Sequence, residues 1–428
     1  MKHLLLKCCI ALCLAGLTTT KALHAQSWIQ LGADIDGEAA DDWSGYSVAF
    51  SADGSRLAIG APGNDDNGTD AGQVRVYDWS GSAWVQVGAD IDGEAADDRS
   101  GWSVALSADG NRLAIGAYAN DDNGTNAGQV RVYDWDGSAW VQVGADIDGK
   151  AAGDQLGWSV ALSADGNRLA IGAAGNNGNG TDAGQVRVYG WNGSAWVQVG
   201  ADIDGEAAYD WSGEAIDLSA DGNRLAVGAQ YNDGNGTDAG QVRVYDWSGS
   251  AWVQVGTDID GEAADDLSGH SVALSADGNR LAIGAVGNDD NGTYAGQVRV
   301  YDWSGSAWVQ AGADIDGEAA YDASGHSVAL SADGNRLVIG AVGNDDNGTG
   351  AGQVRVYDWD GSTWLQVGAD IDGEAANDAS GFSVALSADG SRLAIGAPFN
   401  DGNGTSSGNA RVFEFKPGCE ANTGTWGN

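Results

Sequence analysis

Trp84-Val85-Gln86-Val87-Gly88-Ala89-Asp90-Ile91-Asp92-Gly93 is one statement of a phrase whose opening tryptophan returns at Trp28, Trp84, Trp140, Trp196, Trp252, Trp308 and Trp364. Each return falls 56 residues after the last. A fixed period of this length, filled with strand and turn residues, specifies a propeller or an array. Around the phrase, the unit running from residue 28 to 83 contains four apolar or alternating stretches, at 29–35, 46–51, 57–61 and 73–79, which read as four short strands. Ala52-Asp53-Gly54-Ser55 supplies a tight hairpin turn, because Asp and Gly accept the backbone angles that such a turn demands, and Ser80-Gly81-Ser82 supplies another. That second turn brings Trp79 opposite Trp84 as a cross-strand aromatic pair. Four antiparallel strands repeated seven times predict an all-β, seven-bladed β-propeller.

The phase of the repeat predicts how the ring closes. The chain enters at the Trp28 strand and leaves after the stretch 410–415, so the last unit lacks its outer strand and the first has one to spare. The N-terminal strand is therefore expected to complete the last blade, which pairs edges that would otherwise template aggregation. Pro417, after Lys416, stops the pattern where no further strand is needed. The propeller is expected over 26–416, its units starting near 28, 84, 140, 196, 252, 308 and 364, with a tail at 417–428.

Residues 1–25 read as a secretory signal: Lys2 and Lys7 begin it, 8–17 is apolar, and Leu23-His24-Ala25 is an acceptable cleavage site before Gln26. That apolar stretch is too short to span a bilayer, so no transmembrane segment is expected. Three of the four cysteines lie in the signal and only Cys419 remains, so no disulfide framework holds the fold. A net charge of -41 argues against nucleic acid and anionic membranes as partners. The charge is unevenly spread. Of the ten carboxylates in the first unit, Asp34, Asp36, Glu38, Asp41, Asp42, Asp65, Asp66 and Asp70 lie in or beside the connections into the inner strand and from the second to the third. In an up-and-down blade those connections share one face, which is expected to be acidic.

The runs Ser44-Gly45-Tyr46-Ser47-Val48-Ala49, Leu57-Ala58-Ile59-Gly60-Ala61-Pro62 and Gly72-Gln73-Val74-Arg75-Val76-Tyr77 resemble the FG-GAP repeat, the blade unit of integrin α-subunit propellers and of many secreted bacterial proteins. The resemblance covers 28–415. It implies a non-enzymatic ring that carries ligands for adhesion or assembly. Two departures stand out: Gly-Ala-Pro is intact only at Gly60-Ala61-Pro62 and Gly396-Ala397-Pro398, and the Phe of Phe-Gly is a Ser or Leu throughout, as at Ser44 and Leu156. Many blades of the family hold calcium in an Asp-x-Asn-x-Asp-Gly loop. Here the matching connection, Ser51-Ala52-Asp53-Gly54-Ser55, is too short and has one carboxylate.

Oxygen ligands cluster elsewhere. Asp36, Asp42, Asn64, Asp65 and Asn67, with their counterparts in later units, form a candidate Ca²⁺ site on the acidic face. The competing reading is that they are turn residues whose side chains hold backbone N–H groups.

Differences between copies carry the functional signal. One position on the inner strand's threshold runs Tyr46, Trp102, Trp158, Glu214, His270, His326 and Phe382. The first strand of a propeller blade is innermost, so these seven side chains are expected around the central opening of the acidic face. Neighbouring positions vary too: Trp43, Arg99, Gln155, Trp211, Leu267, Ala323 and Ala379, while the opposite turns hardly change. Large aromatic groups among scattered polar ones suit a recognition surface. The fourth unit alone reads Glu214-Ala215-Ile216-Asp217, which invites a carboxylate-pair hydrolase or lyase; i and i+3 on a strand face opposite ways, so Asp217 is expected beside channel water or an arginine. The paired arginines of each unit, Arg56 and Arg75, are expected to be structural ion pairs of small individual worth. These features predict a secreted, monomeric binding or adhesion module with a protein or glycan ligand and no cofactor demanded by motif; a ligand-free structural repeat protein and a propeller hydrolase are the alternatives.

Overall fold

Each copy of the repeat folds into one blade of a seven-bladed β-propeller, described by a computed structural model over residues 27–417. The expected signal at 1–25, the tail beyond Pro417 and Cys419 lie outside the described residues. In the first blade the inner strand is Ser47–Phe50, the second Arg56–Ala61, the third Gln73–Trp79 and the outer Trp84–Gln86, all antiparallel. Inner strands of adjoining blades touch one another around the axis.

Closure follows the expected route. Ser27–Gln30 pairs with Asn409–Lys416, with Trp28 opposite Phe415 and their rings 5.3 Å apart. The outer strand is shorter than the sequence pattern: it breaks after Gln30 and resumes as Ile35–Asp36, still paired to the same third strand. Gly32 lies in the break at φ +92°, and a side chain there would meet Trp79 and Trp84 of the next blade at 3.1 Å. The break therefore makes room for the neighbour's tryptophan pair.

The core lies between blades. Period-two alternation puts Leu57 and Ile59 on one side of the second strand and Ala58 on the other. Leu57, Ile59 and Tyr77 of the first blade pack against Ala394, Ala410 and Val412 of the last, and equivalent layers fill the other six junctions, with a valine at the Ala410 position in each and Val338 at the Ala394 position in one. Leu57 and Ile59 are both almost wholly buried, each contributing about 1.5–3 kcal/mol of hydrophobic stabilisation.

Polar contacts then bolt each blade to the next. Arg56 is clamped by Asp78 at 2.6 and 2.8 Å, donates to the Gly110 carbonyl, and lies 5.4 and 5.7 Å from the Trp135 and Trp140 rings of the following blade. The arginine side chain is only 12% exposed and sandwiched, while its Asp78 partner is 39% exposed, so the ion pair itself is of the small worth expected and the seat between blades is what the sequence reading lacked. Arg75 donates to the Asp36 carbonyl and Ser44 and faces Glu38. Under the ring the alanine amides form a closed circuit: Ala52 N–H donates to the Ala108 carbonyl, and the relation repeats through Ala164, Ala220, Ala276 and Ala332 to Ala388, which donates back to Ala52.

Candidate functional site

The connections from outer to inner strand and from second to third strand share one face, as the alternation of strand directions requires, and they are knitted together. Asn67 Nδ2 donates to the Gly93 and Glu94 carbonyls of the connection into the next blade. Asp42 Oδ2 accepts from the Glu38 and Ala39 amides, Asn64 Oδ1 from the Asp66 amide, and Asp65 Oδ1 from the Asp70 amide. Asp42 and Asn64 are buried, and in the third blade their counterparts Asp154 and Asn176 bond each other at 3.0 Å. Asp36 lies in the outer-strand extension opposite Asn409, where burial and nearby Asp34 push its pKa up, and its counterpart Asp92 shares the Gln73 side-chain amide with Asp66. Four of the five candidate calcium ligands, Asp42, Asn64, Asp65 and Asn67, thus hold loop backbone. No group of three or more His, Cys, Asp or Glu suited to a metal ion occurs among the described residues.

The seven variable side chains do converge. Ring centroids lie 4.6 Å apart for Phe382 and Tyr46, 4.3 Å for Tyr46 and Trp102, 5.1 Å for Trp102 and Trp158, 4.9 Å for His270 and His326, and 4.6 Å for His326 and Phe382. Glu214 fills the remaining place, joined to its neighbour by a polar bridge: Gln230 Nε2 donates to Glu214 Oε2, and Gln230 Oε1 accepts from His270 Nδ1 at 2.8 Å. His326 Nδ1 donates to the Phe382 carbonyl at 3.2 Å, so both histidines carry their proton on Nδ1. The expectation of large side chains around an opening needs one amendment. They pack against one another in edge and tilted contacts, each half-buried, and form an annulus rather than free-standing exposed groups.

Backbone geometry explains the second tier. All seven residues at the Trp43 position have a left-handed backbone, with φ 59° at Trp43 and 53° at Trp211, a conformation that costs non-glycine residues about 1 kcal/mol or more. It places Trp43 beside Tyr46 and Phe399, and Trp211 against Trp158 and Tyr231. Tyr118 lies 4.4 Å from Trp102 and 5.0 Å from Trp158. Arg99 covers Trp43 at 5.0 Å while Asp70 clamps it with two 2.9 Å bonds. An unbroken aromatic arc therefore runs from Phe399 through Trp43, Tyr46, Trp102, Tyr118, Trp158 and Trp211 to Tyr231. The sector facing it, with Leu267, Val286, Ala323 and Val342 behind His270 and His326, has no such belt. Sequence comparison among the copies found the annulus but not Phe399 or Tyr231, whose counterparts are mostly Gly.

Burial sets the electrostatics. It pushes the Glu214 carboxyl up to about 7 despite the Gln230 bond, lowers His326 to about 4, and lowers His270 to about 3 with help from His326. It also raises the Tyr46 hydroxyl. Asp217 lacks the arginine that was one of its two expected neighbours. The inner strand of this blade is Ile216–Leu218, so Glu214 precedes it, and Asp217 meets no arginine; it accepts the Leu218 amide at 2.8 Å and the Leu274 amide of the next blade at 2.7 Å. Six blades have a serine at the Ala215 position, and Ser47 and its counterparts bond the next blade's backbone, as Ser47 does to Gly101. Asp217 replaces that missing tie across the blade junction. Burial lifts its pKa to about 6.

Ring and face together define a closed β-propeller that gathers its variable side chains around the axis on one loop-built side. The chain belongs to the FG-GAP repeat family, which matches residues 34–77, 90–133, 147–189, 315–357 and 370–413, together more than half its length. No curated protein matches it. Among the described residues no helix is long and apolar enough to cross a membrane.

Proposed function

We propose that this propeller is an extracellular, non-enzymatic binding or adhesion module, a single chain that takes a protein or glycan ligand over the aromatic annulus. One observation carries the reading. The copies are almost identical in core, bolts and lower turns, and their large differences gather where side chains from all seven blades meet. Structural upkeep alone demands no such concentration. Aromatic groups held by mutual packing offer contact area at little entropic cost, and membership in a repeat family typical of extracellular proteins supports the location.

The hydrolase alternative draws on Glu214, whose buried carboxyl is poised near neutrality. It has less support, because Asp217, the carboxylate on that blade's inner strand, is occupied by two backbone amides. A glycan array and a panel of purified matrix proteins, probed with the wild type and with Trp102→Ala/Trp158→Ala, test the binding reading. A ligand held by the wild type should be lost by the double variant, which should still melt cooperatively. Equal retention by both would move the site elsewhere, and silence across the panel would favour the structural repeat protein.

A further inference from the structure

The chain holds nine Asn-Gly pairs, all of them among the described residues. Seven are Asn67-Gly68 and its counterparts in the upper loops, and both ends of each pair are tied down. The Gly68 N–H donates to the Asp65 carbonyl at 3.1 Å, and the six equivalent glycines make the same bond at 3.0 to 3.4 Å. The asparagine nitrogen is held as well: Asn67 Nδ2 donates to the Gly93 carbonyl of the connection into the next blade, and its counterparts do likewise at 2.6 to 2.9 Å. An eighth pair, Asn177-Gly178, has its glycine N–H on Asn176 Oδ1 at 2.8 Å.

The ninth differs at every point. Asn192-Gly193 forms the lower hairpin turn between the third strand of its blade, Gln185–Trp191, and the outer strand, Trp196–Gln198. Both residues are exposed. The Gly193 N–H donates to no backbone carbonyl among the described residues, and a side chain there would meet nothing within 4 Å. Asn192 Nδ2 likewise has no protein partner among them, whereas Oδ1 accepts the Ser194 amide, the Ser194 hydroxyl and the Ala195 amide, each at 2.9 Å. Donors on that oxygen draw charge from Cγ and stabilise the negative oxygen that forms when Cγ is attacked.

We propose that Asn192 is a site of spontaneous modification, where the turn converts a side-chain amide to a carboxylate with water as the only co-reactant. The Gly193 N–H gives its proton to solvent base and the nitrogen bonds to Asn192 Cγ. The Cγ–Nδ2 bond then breaks and ammonia leaves, closing a five-membered imide. Water opens the ring at either carbonyl, giving aspartate or its isomer linked through the side-chain carboxyl. The aspartate has a turn ready to receive it: Asp136 and Asp360 stand at this place in two other blades and accept the same three bonds. The isomer instead lengthens the hairpin backbone by a methylene.

Peptide mapping by mass spectrometry of the whole chain, aged folded in mildly alkaline buffer, tests this. Asn192→Ser is the control, because serine occupies this place at Ser80, Ser248 and Ser304. A loop pair reacts only after local opening, and an opening that costs about 1.4 kcal/mol slows it about tenfold. Asn192 should therefore lose its amide at least about tenfold faster than any other Asn-Gly pair in the folded protein. The preference should vanish in denaturant, where all pairs convert together, and Asn192→Ser should release correspondingly less ammonia when folded. Conversion of Asn192 no faster than the loop pairs, or equal ammonia from wild type and Asn192→Ser, would overturn the site.

Discussion

Gly190→Asp is expected to stabilise the ring by about 1–2 kcal/mol. In five blades the second-strand arginine is held by a third-strand aspartate through two bonds, as in Arg112 to Asp134 at 2.6 and 2.8 Å. The third blade has Gly190 at that place. Arg168 keeps its carbonyl acceptor at Gly222 and its seat over Trp247 and Trp252, at 5.6 and 5.9 Å, but no carboxylate. Desolvation consequently depresses its pKa. A charge-assisted clamp is worth about 1.5–3 kcal/mol when enclosed, and nearer 1 kcal/mol here because the partner carboxylates are more than a third exposed. Removing a strand glycine adds about 0.5–1 kcal/mol. Against this, a Cβ at residue 190 would meet Val199 Cγ2 at 3.1 Å, which asks for a shift of a few tenths of an ångström. The assay is calorimetric or urea unfolding of wild type, Gly190→Asp and Gly190→Asn. Asparagine shares the strand benefit and the steric cost without the charge, so the difference between the variants isolates the clamp. If the asparagine variant proved as stable as the aspartate one, the account of the inter-blade arginine would be wrong.

The annulus should write opposing slopes into stability against pH. Glu214, raised to about 7, contributes stability at low pH that is lost as pH rises through about 7, whereas His270 and His326, lowered to about 3 and 4, contribute stability present above about 6.5 and lost as pH falls. Glu214→Gln should therefore melt progressively higher from pH 4.5 to 6.5 than wild type does, relative to pH 4.5; superimposable melting profiles would remove the buried acid from the account. Calcium titrated to about millimolar, the range of extracellular calcium modules, should leave the melting temperature unmoved, because Asp42, Asn64 and Asn67 are committed to loop backbone; a rise reversed by chelator would show that the loops rearrange around the ion.

Local chemistry made much of this molecule legible before any coordinates. Asp53-Gly54 and the 56-residue phase fixed the hairpins, the blade count and the meeting of Trp28 with Phe415, since each depends on turn residues and on where the pattern starts. The annulus was legible through variation, as the inner strand has only one place to put such side chains. What stayed hidden depends on contacts between blades. Nothing adjacent to Arg56 in sequence announces a seat between Trp135 and Trp140. The amide partner of Asp217 was hidden for the same reason: its second acceptor bond reaches Leu274, in a different blade.

The alanine circuit beneath the ring has no first member. Each amide is both donor to one neighbour and, through its carbonyl, acceptor for the other, so every bond in the set depends on the pitch between blades that seven units impose. A chain lengthened by a duplicated unit would strand a donor and an acceptor unless all junctions changed pitch together. Growth by copying, which the sequence records so plainly, is thereby quantised: gain or loss of a unit must be answered around the whole circumference at once.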